Sequence, residues 1–141
     1  DSIFLVFASN DLNSITSGFG HTFLRLHNKD SIRKNNLLDY GVNYAANTGA
    51  DSGAMLALKG LFGHYPGVFS MLPFHQKMIE YTNLEGRDLW EYQLKLSPEQ
   101  IDLILNHLLE IDGIKSPYYF ISENIVYIIS KRPIIPKFFD A

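Results

Sequence analysis

Between Arg87 and Leu109 the chain changes its period within a few residues, and this change limits the folds open to it more than any other feature. From Arg87 to Leu96 the run RDLWEYQLKL alternates, with Leu89, Glu91, Gln93 and Lys95 on one side and Trp90, Tyr92, Leu94 and Leu96 on the other. A period of two is that of a strand with one face turned to a core. Ser97-Pro98-Glu99-Gln100 follows at once. Ser97 is placed to cap a helix, Pro98 suits its first position, and Gln100 completes a capping box. Ile101, Ile104, Leu105, Leu108 and Leu109 then recur at helical spacing, and Gly113 stands where the helix should stop. A strand running directly into a capped helix requires a mixed architecture.

The rest of the chain supplies further strands. Ile3 to Ala8 is a short apolar run of β-formers, too short for a helix. Gly18-Phe19-Gly20-His21 leads into a second strand, Thr22 to His27, and the polar stretch Asn28 to Asn36 predicts a hairpin connection to a third, Leu37 to Tyr44, antiparallel to the second. Ala45 to Ala57 reads as irregular or briefly helical. Lys59 to Gly67 encloses aromatic residues between three glycines and a proline, the chemistry of a structured loop that can approach a ligand closely. Val68 to Leu72 predicts a strand, and Pro73 the first turn of a helix bearing Phe74, Lys77, Met78 and Tyr81. After the aromatic stretch from Tyr118, Ser122-Glu123-Asn124 is expected to cap a last helix from about Ile125 to Lys131, ended by Pro133. No repeat or internal boundary interrupts residues 1–141, which are expected to form a single α+β domain with a central antiparallel sheet and packed helices.

Composition narrows the function. Hydrophobic residues make up 46% and charged residues 19%, the balance of a globular chain. A net charge of −3, with no basic run longer than Lys131-Arg132, argues against nucleic acid as a partner. The absence of cysteine removes disulfides, thiolate metal sites and a cysteine nucleophile. The start at Asp1-Ser2-Ile3-Phe4 suits a processed chain, and no apolar run approaches the ~20 residues of a membrane span.

The five histidines, His21, His27, His64, His75 and His107, show neither HxH nor HExxH spacing, so no metal site is expected. His107 reads as a surface residue of the helix after Ser97, and His27 as solvated. His21 is the first candidate for chemistry. Glycines deliver the backbone to it, it stands at the mouth of a strand, and imidazole titrates near neutral pH. The competing reading is a strand-edge histidine that satisfies a turn. Asp39, Tyr40 and Asn43, on the next strand, are the candidate orienters of its ring. Arg87, Asp88 and Glu91 form either a buried polar network around Trp90 or a surface ion pair beside a core tryptophan.

Four segments, GFGHTFLRL, LLDYGVNYAA, KGLFGHYPG continuing through RDLWEYQLKL, and YYFISEN, occur in the order seen in a bacterial envelope family. On them the chain resembles the DUF4105 family and the periplasmic domain of Lnb-type lipoprotein N-acyltransferases. The resemblance implies a papain-like fold of permuted NlpC/P60 type, no cofactor, a periplasmic or cell-envelope location, and membrane proximity through flanking regions. It implies His21 as the base and places the family's cysteine nucleophile, at a helix start, at position 125. Here that residue is Ile125, in Glu123-Asn124-Ile125-Val126-Tyr127, and neither Ser122 nor Ser130 is suitably placed to replace a thiol. Arg25, His64, Tyr65, Trp90, Tyr119 and Asn124 fall in the matching segments and are the candidate binding residues. Two readings follow: a catalytically inactive domain that binds a lipoprotein, acyl chain or envelope component, or a thiol-type acyltransferase or hydrolase whose cysteine has been replaced. Isoleucine is an unusual choice for a deliberate knockout, which favours natural divergence. If the resemblance extends to geometry, the Ile125 side chain should lie within several ångströms of the His21 ring, and placement on opposite faces would contradict it.

Overall fold

The structure, a computed structural model, describes residues 1–9, 20–29, 39–49, 53–84, 86–119 and 125. The N-terminal apolar run forms β1 (Ser2–Ala8), which pairs antiparallel with β2 (His21–His27) from Ser2 opposite His27 to Ala8 opposite His21. As the expected hairpin predicts, β3 (Tyr40–Ala46) lies antiparallel to β2, with Leu24 opposite Val42. Beyond β3 come helix α1 (Gly53–Leu61) and β4 (Tyr65–Pro73), which returns along β3. Helix α2 (Phe74–Met78) then continues in wider π-type turns over Ile79–Leu84. The chain crosses back to place β5 (Leu89–Gln93) on the free side of β1, forms α3 (Pro98–Ile111), and ends its described strands with β6 (Ser116–Tyr118) beside β4. The result is an open six-stranded antiparallel sheet in the order β5-β1-β2-β3-β4-β6.

Strand alternation divides the core into two clusters. One face carries Ile3, Leu24, Val42 and Tyr44 and is covered by Ile101, Ile104 and Leu108 of α3. The other carries Val6, Ala8 and Phe23 and is covered by Phe74 and Tyr81. Each large aliphatic or aromatic side chain removed from water in these layers contributes about 1.5–3 kcal/mol before entropy is counted. The α3 start follows its sequence: the Ser97 hydroxyl accepts from the Gln100 backbone N–H, and the Gln100 side chain accepts in return from the Ser97 N–H at 2.8 Å.

Several expectations need correcting. The alternating strand is confined to Leu89–Gln93, and Trp90, expected in the core, is 56% exposed because β5 is an edge strand. Leu109, assigned to the apolar stripe of α3, is 70% exposed on its outer side. Lys59 to Gly67 is not one loop: α1 reaches Leu61, Phe62-Gly63 turn, and Tyr65 already belongs to β4. Ala45 and Ala46 finish β3, so the first helix starts only at Gly53. Pro73 ends β4 and caps α2 from outside rather than standing in its first turn. His27 is bonded to Asp39 rather than simply solvated, and the His107 side chain is only 11% exposed beside Glu110. Most of the hairpin connection and the last helix apart from Ile125 lie outside the described residues.

Candidate functional site

His21 opens β2, and the residue before it makes that placement possible. Gly20 has φ +72°, and a Cβ there would fall 2.8 Å from the Phe7 ring. Only glycine meets both conditions without strain. The pleat then turns His21, Phe23, Arg25 and His27 to the α2 side of the sheet. The His21 ring packs between Phe23 and Tyr81, with centroids 6.4 and 6.1 Å away and planes within 24° of its own.

On β3, Asn43 presents its side-chain oxygen to His21 Nε2. An amide oxygen has no proton to give, so the ring nitrogen donates. This hydrogen bond fixes the Nε2–H tautomer and leaves Nδ1 with the free lone pair. The imidazole pKa is lowered from 6.5, first by burial, against which the Asn43 hydrogen bond is the main opposing effect; the positive charges of Lys77 and Arg87 lower it further, and Glu80 opposes them. The group is therefore neutral through the neutral range and able to accept a proton.

Tyr81, Lys77 and Arg87 complete the surroundings, and the sequence reading did not mark them as site residues. Arg87 donates through Nε to the Ser9 carbonyl at 2.5 Å and through a terminal nitrogen to the Ala8 carbonyl at 3.1 Å, with its guanidinium 4.9 Å above the Tyr81 ring. Lys77 is buried over Gly41, donates to Glu80 at 2.7 Å and faces Tyr81 from the same side of the sheet. A signal existed: Lys77 shares the spacing of Phe74 and Tyr81, so a helix burying those two must bury the lysine stem as well.

Of the three candidate orienters, Asn43 is the one hydrogen-bonded to His21. Asp39 instead accepts from Arg25 Nε at 2.6 Å and from His27 Nδ1 at 3.0 Å, and Tyr40 points to the opposite face, half exposed. Arg25, proposed for binding, is buried. It also donates to Glu91 on β5, and its guanidinium lies 4.8 Å from the ring centres of both Phe4 and Phe74. The remaining binding candidates are not brought together. Trp90 occupies the β5 edge, whereas Tyr65, buried in β4, and His64 and Tyr119, both exposed, lie toward the β6 edge. Asn124 falls outside the described residues, as do Ser122 and Ser130.

Ile125 is helical and completely buried, in the same cluster as Leu24, Val42, Tyr44 and the inner face of α3. His21 is on the α2 side. The expected approach of these two side chains is therefore not found, because the strand that aims His21 to one face aims the neighbours of Ile125 to the other. A cleft of about 260 Å³, lined by Ile3, Leu26, His27, Tyr40, Ile101 and Leu105 among others, opens at the other end of β2. Six residues of strand, roughly 20 Å, separate it from His21, so it does not belong to the imidazole site. Among the described residues no group of histidine, aspartate and glutamate side chains is arranged to hold a metal.

An antiparallel α+β sheet with a tautomer-fixed histidine–asparagine pair at the mouth of an inner strand defines the class of protein. Within that class, the chain belongs to the family of Lnb N-terminal periplasmic domains, whose family model matches residues 1–131. Membership places the domain in the periplasm. Searches of curated proteins and of solved structures returned no match.

Proposed function

We propose that this domain is a member of the DUF4105 group that carries out no acyl transfer and instead binds a lipoprotein, an acyl chain or another envelope component. One observation carries the reading. The His21–Asn43 pair is present, while the chain has no cysteine, and the position matching the family nucleophile is an isoleucine sealed in the apolar core. In cysteine hydrolases of papain type, an asparagine oxygen holds the histidine so that its other nitrogen faces the thiol. His21 and Asn43 reproduce that half of the arrangement. Without a thiol, the neutral imidazole is a hydrogen-bonding group on an aromatic wall made by Phe23 and Tyr81.

The intact pair also favours a second reading, an acyltransferase or hydrolase whose cysteine has been replaced. One experiment separates them. An Ile125→Cys variant is treated with an activated aryl ester of a fatty acid and analysed by mass spectrometry, with and without His21→Gln. The binding reading expects no adduct on the folded protein, because a thiol at 125 would sit on the α3 side in apolar surroundings that disfavour thiolate. An adduct that disappears with His21→Gln overturns it. In parallel, the wild-type chain is titrated with a synthetic diacylated lipopeptide and followed by the fluorescence of its single tryptophan and by mass. Binding without a mass change supports the reading; no binding, or transfer of an acyl group, refutes it.

A further inference from the structure

The outer edge of β5 is chemically unfinished. Leu94 donates its backbone N–H to the Ile3 carbonyl, and the Asp88 carbonyl accepts from the Ser9 N–H, both at 2.9 Å. In an antiparallel ladder the residues that bond one neighbour alternate with those that face away from it. Trp90 and Tyr92 therefore turn their backbone groups to β1, and Leu89, Glu91 and Gln93 turn theirs outward, where no described strand follows. The sequence of β5 does not blunt this edge. At the opposite edge β6 is three residues with Pro117 at its centre, whereas Leu89–Gln93 holds neither a proline nor a lysine. Four of the five residues of β5, Trp90 to Gln93, are exposed.

Backbone and side chains together select the occupant. A row of unpaired N–H and C=O groups is satisfied in register only by another backbone in extended form. Glu91 stands opposite Val6 on the α2 face of the sheet and is bonded to Arg25. Arg25 also holds Asp39, so two carboxylates share one guanidinium. The Asp39 side chain is 2% exposed and that of Glu91 32%, so Glu91 is the one that can take a second cation. A residue paired with Glu91 shares its face, and charge selects lysine or arginine there. Its two neighbours would lie beside Trp90 and Tyr92, which stand opposite Phe7 and Leu5 on the α3 face at 56 and 57% exposure. Apolar or β-branched side chains pack best against such rings. A second copy fits less well. Two five-residue edges, about 17 Å long and roughly 10 Å deep, cover on the order of 200 Å², far below the ~800 Å² per partner of a stable interface. A two-fold pairing centred on Glu91 would also set two carboxylates opposite each other.

We propose that the β5 edge docks an extended peptide segment of apolar–basic–apolar pattern, added as a further antiparallel strand with its basic residue opposite Glu91. The site does not depend on how His21 or position 125 is read. The test uses the whole chain and the peptide acetyl-Thr-Val-Lys-Val-Thr-amide, titrated to millimolar concentration and followed by amide hydrogen exchange. At saturation the outward amides of Leu89, Glu91 and Gln93 should gain about fivefold or more in protection, while those of Trp90 and Tyr92, already bonded to β1, change little. Glutamate in place of the peptide's lysine should weaken binding about fivefold. N-methylation of that lysine removes the N–H that would bond the Glu91 carbonyl, and should weaken binding about tenfold or more. In Glu91→Gln, whose side chain can still bond Arg25, the preference for lysine over glutamate should fall to about twofold or less. The proposal fails if the outward amides do not respond, or if the N-methylated peptide binds as well as its parent. It fails if the lysine preference is absent from wild type or survives in Glu91→Gln. It fails too if the outward amides are protected before peptide is added. Protection that rises with protein concentration would give the edge to a second copy, and protection at every concentration would give it to another part of this chain.

Discussion

At the scale of single residues, the informative group is His21, because its environment fixes both its tautomer and its charge. Its pKa is lowered in the folded state, chiefly by burial. Above the unfolded value of about 6.5 both states hold the ring neutral, and the residue adds no pH dependence. As pH falls through that value, the unfolded chain takes up a proton that the folded chain refuses, so stability declines until the lowered folded pKa is reached. Urea unfolding followed from neutral pH down through the mildly acid range should therefore show a loss in wild type that is smaller in His21→Gln. Parallel curves for the two proteins would contradict the buried, neutral imidazole. Strand alternation in the sequence was enough to set Asp39 and Asn43 apart from Tyr40. It did not choose between the first two, because both project to the same side and the choice is made by position along the strand. Asn43 is near the His21 end, whereas Asp39 is drawn to Arg25 and His27 at the other. The register that decides this depends on pairing across a connection with no local signal.

At the scale of elements, the connection between β2, β3 and β5 is made by charge as well as by backbone. Arg25 on β2 reaches Asp39 just before β3 and Glu91 on β5, under two phenyl rings. A buried pair of this kind gives little net stability, yet removing one member strands the other without its partner. Arg25→Met should cost about 3–5 kcal/mol, because Asp39 is nearly inaccessible and would keep only His27 as a bonding partner. Arg25→Met combined with Asp39→Leu should recover a substantial part of that loss. A double-mutant cycle by chemical denaturation measures the coupling, and strictly additive costs would refute it. Arg87 and Glu91, which the sequence offers either as a buried network around Trp90 or as a surface ion pair, join two separate networks. Arg87 turns inward to backbone carbonyls and Tyr81, and Glu91 turns toward Arg25. Periodicity finds a strand; it does not tell which flanking strand will place a counter-charge opposite. It also missed β6, since Ser-Pro-Tyr is three residues with a proline, a combination that only a sheet edge accepts. The helix from Pro98, by contrast, was legible down to its cap, because all of its signals are local.

At the scale of the whole molecule, the sheet has four inner strands, β1 to β4, and two short edges, β5 and β6. Native-state hydrogen exchange should rank amides accordingly, with β1 to β4 slower and the outward amides of β5 and β6 exchanging close to the rate of local opening. Uniform protection across all six strands would argue against this order. The α+β class was legible from the change of period at Ser97, and the family from short segments in order. The separation of His21 from Ile125 was not legible from either, since it depends on which face of the sheet Ile125 joins. The order of the strands has one more consequence, which concerns time. Phe4 pairs with Arg25 on one side and with Gln93 on the other. Synthesis towards the C-terminus thus leaves one edge of β1 open until some ninety more residues, those from Phe4 to Gln93, have emerged, a wait of several seconds or more at roughly 5–20 residues per second. Ile3 to Ala8 is apolar on both faces and carries no charge. Unpaired strands of that composition are the ones that join to other chains. An aggregation-prone segment is therefore made long before the strand that encloses it.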